Sequence, residues 1–541
     1  MQDELRESHF AAVVIGTGLV QSIVAAALSA AGRPIIHIDE HAAYGGPHAS
    51  LSLAELSEHN AEYIHIDDSL VSRQYSISLV PHLVPATGPF VAALVNSGVA
   101  RYGNFCLCKR IAVAQSTHFR TVPSNKQDVF RDKSVSLVQK RRLIKFLVFC
   151  SGDFESEIQG KESSPLLELA RSTFGLDDNL AEALAYAVAF CTSPNDPALP
   201  ALVRTRAYLA SVGRYGPSPF LIGHYGGAGE LAQGFCRTCA VMGGTYVLGR
   251  KVLDITRGQP HTHREWTTAS GEKLQTYHPP STFEGYGVEG VDASAQDSTT
   301  QAQHTPQGPL FRIQLEGFAA PFTSDVLIAP KTWLQRILDG DSNTTDDDKP
   351  THTIRGVVII DSPDSFAFEQ SGDEAQDTKP TLDETLLVFP PREGTNTSVV
   401  TVLANGAGTM SCPDGVLYFT TDTPTVDDSP RAYFEPFVRA VLDGCTPPRP
   451  QIRAEIYWRE KHAEQIVVRK AGQDTAATAT TATNAEYTTM HLTQGADAAA
   501  HEAERVFWDV IGEVPGEDGK SPSGVEFFAR VERAEDAFDD F

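Results

Sequence analysis

The run Ala11-Ala12-Val13-Val14-Ile15, followed by Gly16-Thr17-Gly18 and an alanine-rich stretch from Val20 to Ala31, restricts the fold of this chain more than any other feature. A short apolar run fits a buried strand, the glycines fit a tight turn, and the alanines favour a helix. Pro34-Ile35-Ile36-His37-Ile38 then reads as a second strand ending at Asp39. Strand, glycine turn, helix and parallel strand make a β-α-β unit of the dinucleotide-binding kind. In that unit the first glycine makes the turn, the second admits a pyrophosphate, and the third lets the helix pack on the strand. Here the third position holds Gln21, whose side chain crowds the helix start. Asp39, 23 residues after Gly16, still stands where a ribose-binding acid belongs. Gly16, Gly18 and Asp39 predict the fold, while Gln21 predicts a vestigial loop with no bound cofactor.

Composition narrows the function. The 541 residues carry 69 acidic against 44 basic side chains, a formal charge of −25. That balance argues against nucleic acid, which needs clustered Lys and Arg, and against bulk attraction to anionic membranes. Eight cysteines without a framework fit a reducing compartment, and the cytosol is the expected location. The apolar run from Ala11 to Gly32 follows Asp3, Glu4 and Glu7, whereas a signal peptide wants a basic start. Asp539-Asp540-Phe541 does not read as a prenylation box, so any lipid is expected to belong to a partner.

Cys236-x-x-Cys239 and Cys106-x-Cys108 invite a zinc reading, but their apolar surroundings favour packing as small core thiols. His37, between apolar strand residues, reads as a core histidine rather than a base. Gly-x-Ser-x-Gly, P-loop and His-Glu-x-x-His motifs are absent, so catalysis is not expected.

The expected class is α/β: a Rossmann-type large domain with mixed sheets over residues 1–116 and 214–470, interrupted by an all-helical insert over 117–213. Helical patterns run from Ser134 to Cys150, Pro165 to Cys191 and Ala201 to Val212. Strand patterns recur at 243–248, 251–255, 310–315, 326–328, 357–360, 386–389, 399–403 and 417–420. Stretches 257–309, 340–350 and 471–500 have the composition of disordered insertions. A last amphipathic helix over 501–512 and an acidic tail close the chain.

Two blocks carry a resemblance. The first is Val14-Ile15-Gly16-Thr17-Gly18-Leu19 with His37-Ile38-Asp39 and Tyr44-Gly45-Gly46. The second runs from Tyr225 through Glu230 and Phe235-Cys236-Arg237 to Gly243-Gly244-Thr245-Tyr246. In order and spacing they resemble the Rab GDP-dissociation inhibitor and Rab escort protein superfamily, over about residues 10–256 with weaker echoes to about 512. The resemblance implies a large domain related to flavin-dependent oxidoreductases but used without flavin.

It also places a Rab-binding platform on Tyr44, Glu230, Arg237, Thr245, Tyr246 and Val247. Arg237 can fork onto a carboxylate and Glu230 can meet a basic residue; the bland alternative is that they pair with each other. Phe130 and Arg141, eleven residues apart in the helical insert, resemble the residues that escort proteins offer to the Rab geranylgeranyltransferase heterodimer. The alternative for Phe130 is a core position. The implied partners are GDP-bound Rab GTPases, that transferase and the geranylgeranyl lipid of the Rab, with transient membrane contact. The lipid is expected near Phe146, Leu147 and Cys150. The rivals are a recycling inhibitor and a flavin-dependent oxidoreductase.

Overall fold

In the computed structural model, residues 9–58, 61–115, 118–123, 129, 135–223, 227–258, 310–339, 352–361, 384–392, 396–407, 412–423, 429–445, 447–461, 466–471, 492–516 and 519–528 are described. Phe130, Tyr225, the insertion at 340–350, most of those at 257–309 and 471–500, and the acidic tail lie outside the described residues.

Strand β1 (His9–Ile15) leads through the glycine loop into helix α1 (Leu19–Ala30), and β2 (Ile35–Asp39) follows. Every residue of α1 from Leu19 to Ser29 is buried. A helix apolar on all sides requires cover all round. The sheet supplies one side; helix α2 (Ala228–Val241) and the Gly495–Ile511 helix supply the others, in one cluster that joins Val24 and Leu28 to Phe235 and Phe507. That last helix begins six residues before the expected start at 501. Ala496, Ala499, Ala500 and Ala503 are small enough to lie closely against α1. An alanine-rich stretch that reads as low complexity is therefore partly a packed helix.

Strand β3 (Thr245–Leu248), β2, β1 and the Phe322–Pro330 strand are mutually parallel, and antiparallel strands Leu310–Leu315 and Val252–Gly258 extend the sheet. Ile466–Lys470 also pairs with Phe322–Pro330. This is the dinucleotide-fold arrangement that the first block of sequence predicts.

A second sheet of eight strands runs in the order 63–66, 452–461, 352–360, 415–423, 400–405, 385–389, 110–115, 118–121. Its His352–Ile360 strand alternates: Val357 and Ile359 enter one core cluster, Ile354, Val358 and Ile360 another. Helix Pro430–Asp443 covers one face. The other face shares a continuous core with helices Leu137–Ser151, Leu166–Ser172, Asp178–Ala187 and Ala198–Ser211. The helical insert is thus fused to the sheet by apolar packing, and the 118–121 strand, placed in the insert by sequence, belongs to the sheet. Local signals start these helices: Ser136 Oγ accepts from Gln139 N at 3.3 Å, and an Asp177 carboxylate oxygen from Leu180 N at 2.9 Å.

Candidate functional site

The glycine loop is tied into its surroundings by polar groups that a cofactor would otherwise meet. Gly16 lies at φ +88°, a left-handed conformation that glycine adopts without a steric penalty. The Gln21 side chain folds back over the loop. A Cβ built on Gly18 would lie 2.7 Å from Gln21 Oε1, and one on Gly16 3.3 Å from Gln21 Nε2. The space that the second glycine keeps open for a pyrophosphate is filled by this amide. Asp39 is only 4% exposed, and both carboxylate oxygens are engaged. One accepts from Thr17 N at 2.8 Å and Thr17 Oγ1 at 2.7 Å; the other accepts from His41 N at 2.9 Å. Gly45 N in turn donates to Thr17 Oγ1 at 3.1 Å. Gln21 thus stands at the phosphate edge of the dinucleotide pattern, and the acid at its ribose position is engaged by Thr17 and His41.

A buried chain of hydrogen bonds continues from the loop. His37 is fully buried, as its sequence setting predicts, and Nε2 donates to the Gly16 carbonyl at 2.6 Å. Burial lowers its pKa to about 4 against the weaker pull of the Gly16 carbonyl and Asp39, so the ring is neutral. With the proton assigned to Nε2 by that carbonyl, Nδ1 accepts from the Tyr246 hydroxyl at 3.1 Å. The same hydroxyl meets the Cys236 and Cys239 thiols. Cys236 Sγ also lies 3.2 Å from Ser22 Oγ, and Cys239 Sγ 3.1 Å from Ser29 Oγ. Burial pushes the Cys239 thiol up to about 11, and both cysteines behave as the protonated core groups expected of them. Among the described residues no group of three or more His, Cys, Asp or Glu side chains is placed to hold a metal.

Around this buried chain stand the residues expected on the partner-binding platform. Tyr44 is half-buried with its ring 6.1 Å from that of Tyr246, edge to face. Loss of hydration raises its phenol pKa. Thr245 and Tyr246 are partly exposed on β3. Glu230 reaches solvent from the first turn of α2, its carboxyl raised by burial on its protein side. Arg237, two turns further on, is exposed, and its guanidinium lies over the Tyr102 ring, 4.6 Å from the centroid. Among the described residues no ion pair joins Glu230 to Arg237, so the bland pairing is not what holds them.

Val247 corrects the expected set. It is only 8% exposed and packs with Ile36, Ile38 and Phe311, because alternation along β3 turns it into the core. Tyr102 was missed altogether; an aromatic beside Arg101 in a glycine-flanked turn gave no signal linking it to a helix 135 residues away.

In the helical insert Arg141 is exposed on the Leu137–Ser151 helix. The spacing Leu137, Arg141, Ile144, Val148 lies along one side, where Leu137 and Val148 face solvent at 72% and 65% exposure. The expected lipid residues are placed differently. Phe146 and Cys150 are fully buried and Leu147 is half-buried. Phe146 meets Phe174 edge to face at 5.0 Å, and Phe149 packs on both Phe174 and Phe154. An aromatic cluster stands in the region where the lipid is expected, because the helix turns these side chains towards its neighbours. Among the described residues no helix is long and apolar enough to cross a membrane.

Comparison with known proteins agrees with this geometry. The family model described as GDP dissociation inhibitor matches residues 6–268. A Drosophila melanogaster protein named Rab proteins geranylgeranyltransferase component A is 34% identical over 290 residues, covering 47% of this chain and 55% of that protein. The Saccharomyces cerevisiae Rab GDP-dissociation inhibitor is 30% identical over 270 residues, covering 47% and 59%. The matches thus span somewhat more than half the length of these two relatives. The solved structure of a Plasmodium falciparum Rab GDI superposes with a TM-score of 0.60 over 93% of this chain and 98% of that one, at 16% identity, and so shares the fold. The match to the GDP dissociation inhibitor model takes in the β-α-β unit, the helical insert and the Glu230–Tyr246 block.

Proposed function

We propose that this protein is a non-catalytic Rab escort protein. It binds a newly made Rab GTPase in its GDP form, presents the C-terminal cysteines to Rab geranylgeranyltransferase, and shelters the lipid until delivery to a membrane. The observation that carries the reading is the closed cofactor edge: Gln21 over Gly16 and Gly18, with Asp39 held by Thr17 and His41. The dinucleotide fold is kept as a scaffold for Tyr44, Glu230 and Arg237. No flavin is assigned to it. Burying a twenty-carbon lipid gains on the order of 10 kcal/mol, so a prenylated GTPase needs a carrier in water. The working location is the cytosol, with transient membrane contact.

The name of the Drosophila relative supports the escort role, and the exposed Arg141 stripe supports a transferase contact there. The second reading, a recycling inhibitor that extracts Rabs from membranes, is favoured by the likeness to the yeast inhibitor. Reconstituted prenylation separates them. Under the escort role the protein supports transfer to a Rab, and Phe130→Ala weakens transferase binding while sparing Rab binding; a wild-type protein that supports no transfer refutes that role.

A further inference from the structure

Arg237 occupies an unusual setting for an exposed cation. Among the described residues no carboxylate lies within ion-pair distance of it, and its guanidinium instead rests on Tyr102, an aromatic that is itself 56% exposed. The approach of the two elements depends on a gap in helix α2. A Cβ on Gly234 would lie 2.7 Å from Val99 Cγ1, so only a glycine lets the Val99–Arg101 turn seat at that depth. Gly234 and Arg237 are three residues apart on one side of the helix, so the turn that seats at Gly234 brings the next residue, Tyr102, beneath Arg237. Its backbone is pinned there by Tyr102 N donating to the Val99 carbonyl at 2.9 Å.

We infer that Tyr102 is a positioning residue: its ring holds the Arg237 guanidinium over its face so that the N–H fork is offered to a protein partner, and Gly234 sets the height of the ring. A long flexible arginine loses considerable rotamer freedom when it binds a carboxylate or carbonyl. A ring beneath it removes part of that loss beforehand, while the in-plane donors remain available for hydrogen bonds. The role rests on the GTPase-binding reading given above.

The test uses the full chain and a GDP-loaded Rab GTPase. Tyr102→Phe keeps the ring and binds within twofold of wild type. Tyr102→Leu binds roughly three- to tenfold more weakly, the range expected of an exposed cation–ring contact. In an Arg237→Ala background, Tyr102→Leu adds no further loss. Gly234→Ala reproduces the Tyr102→Leu defect. Equal losses from Tyr102→Leu in both backgrounds, or none in either, overturn the assignment. In the free protein, arginine-labelled NMR reads the ring-current shift of the Arg237 side chain, expected in wild type and Tyr102→Phe and lost in Tyr102→Leu. Absence of that shift in wild type overturns the stack itself. A shift without any wild-type GTPase binding refutes instead the functional reading, and with it the role, while leaving the contact in place.

Discussion

The Tyr246 hydroxyl donates to Nδ1 of His37 across 3.1 Å, joining β3 to β2 at the register position where the two residues are Cα partners. Through Nε2 the same imidazole holds the Gly16 carbonyl at 2.6 Å. The glycine loop is thereby fixed by protein groups, and Tyr246 on β3 is coupled to it. Tyr246→Phe leaves Nδ1 as a buried acceptor without its phenolic donor, at a cost of about 1–3 kcal/mol. Denaturant midpoints of the two proteins measure it; an unchanged midpoint shows that the bond contributes nothing net.

Stability should fall on mild acidification. Burial lowers His37 and His48 to about 4 and His82 to about 3, with Arg355 adding to the effect at the last two. Between the unfolded value near 6.5 and those lowered values, the unfolded chain takes up protons that the folded chain refuses. Stability is present above about pH 6.5 and is lost as pH falls towards 4, by roughly 3 kcal/mol per histidine at most. Thermal unfolding across pH 7 to 4 reads this, and replacing His37 by Gln should flatten part of the decline.

Asp497 runs the other way. Its carboxylate caps the Pro89–Asn96 helix, with Phe90 N donating at 3.1 Å, yet burial raises its pKa to about 6. Between about pH 4 and 6 the folded state keeps a proton that the unfolded state has released, so this contribution is lost as pH rises through 6. Asp497→Asn retains an acceptor for Phe90 N without the buried charge. Relative to wild type it should be more stable at pH 7 than at pH 4, and no pH dependence in that difference would show that the carboxyl titrates normally.

The closed cofactor edge predicts that removing Gln21 alone does not create a flavin site. Gln21→Gly opens space over Gly16 and Gly18, but Asp39 remains engaged by Thr17 and His41. Both wild-type and variant protein, purified with whatever they bind, should lack the visible absorption of a flavin. A stoichiometric flavin band in the wild type would refute the carrier reading.

In the helical insert, Phe146→Ala should cost about 3–5 kcal/mol through the cavity left against Phe174, detected as a lower unfolding midpoint. Val148→Ser, on the exposed side of the same helix, should leave that midpoint nearly unchanged. Lipid binding lost in Phe146→Ala at full stability would restore the pocket first expected there.

The opening β-α-β unit was legible from residues because its determinants are local: an apolar run, glycines at the turn, alanines in the helix and Asp39 at the next strand end. The same is true of His37 as a core residue, since its immediate neighbours are apolar. Residue order also identified Gln21 as the departure from the dinucleotide pattern. It did not show where the Gln21 amide goes, or that Asp39 is engaged by Thr17 and His41, because those contacts depend on how the loop folds back. Residue order also did not show that Val247, Phe146 and Cys150 are buried, for a related reason. Which side of a strand or helix meets the core is decided by the elements that pack against it, and only the assembled sheets and helices supply them. The stack of Arg237 on Tyr102 joins residues 135 positions apart, and His37 and Tyr246 are separated by 209. Sequence by itself determined the scaffold and the chemical types on its surface; tertiary structure decided which of those groups are engaged inside the protein and which face solvent, because packing and hydrogen bonding between distant segments set both.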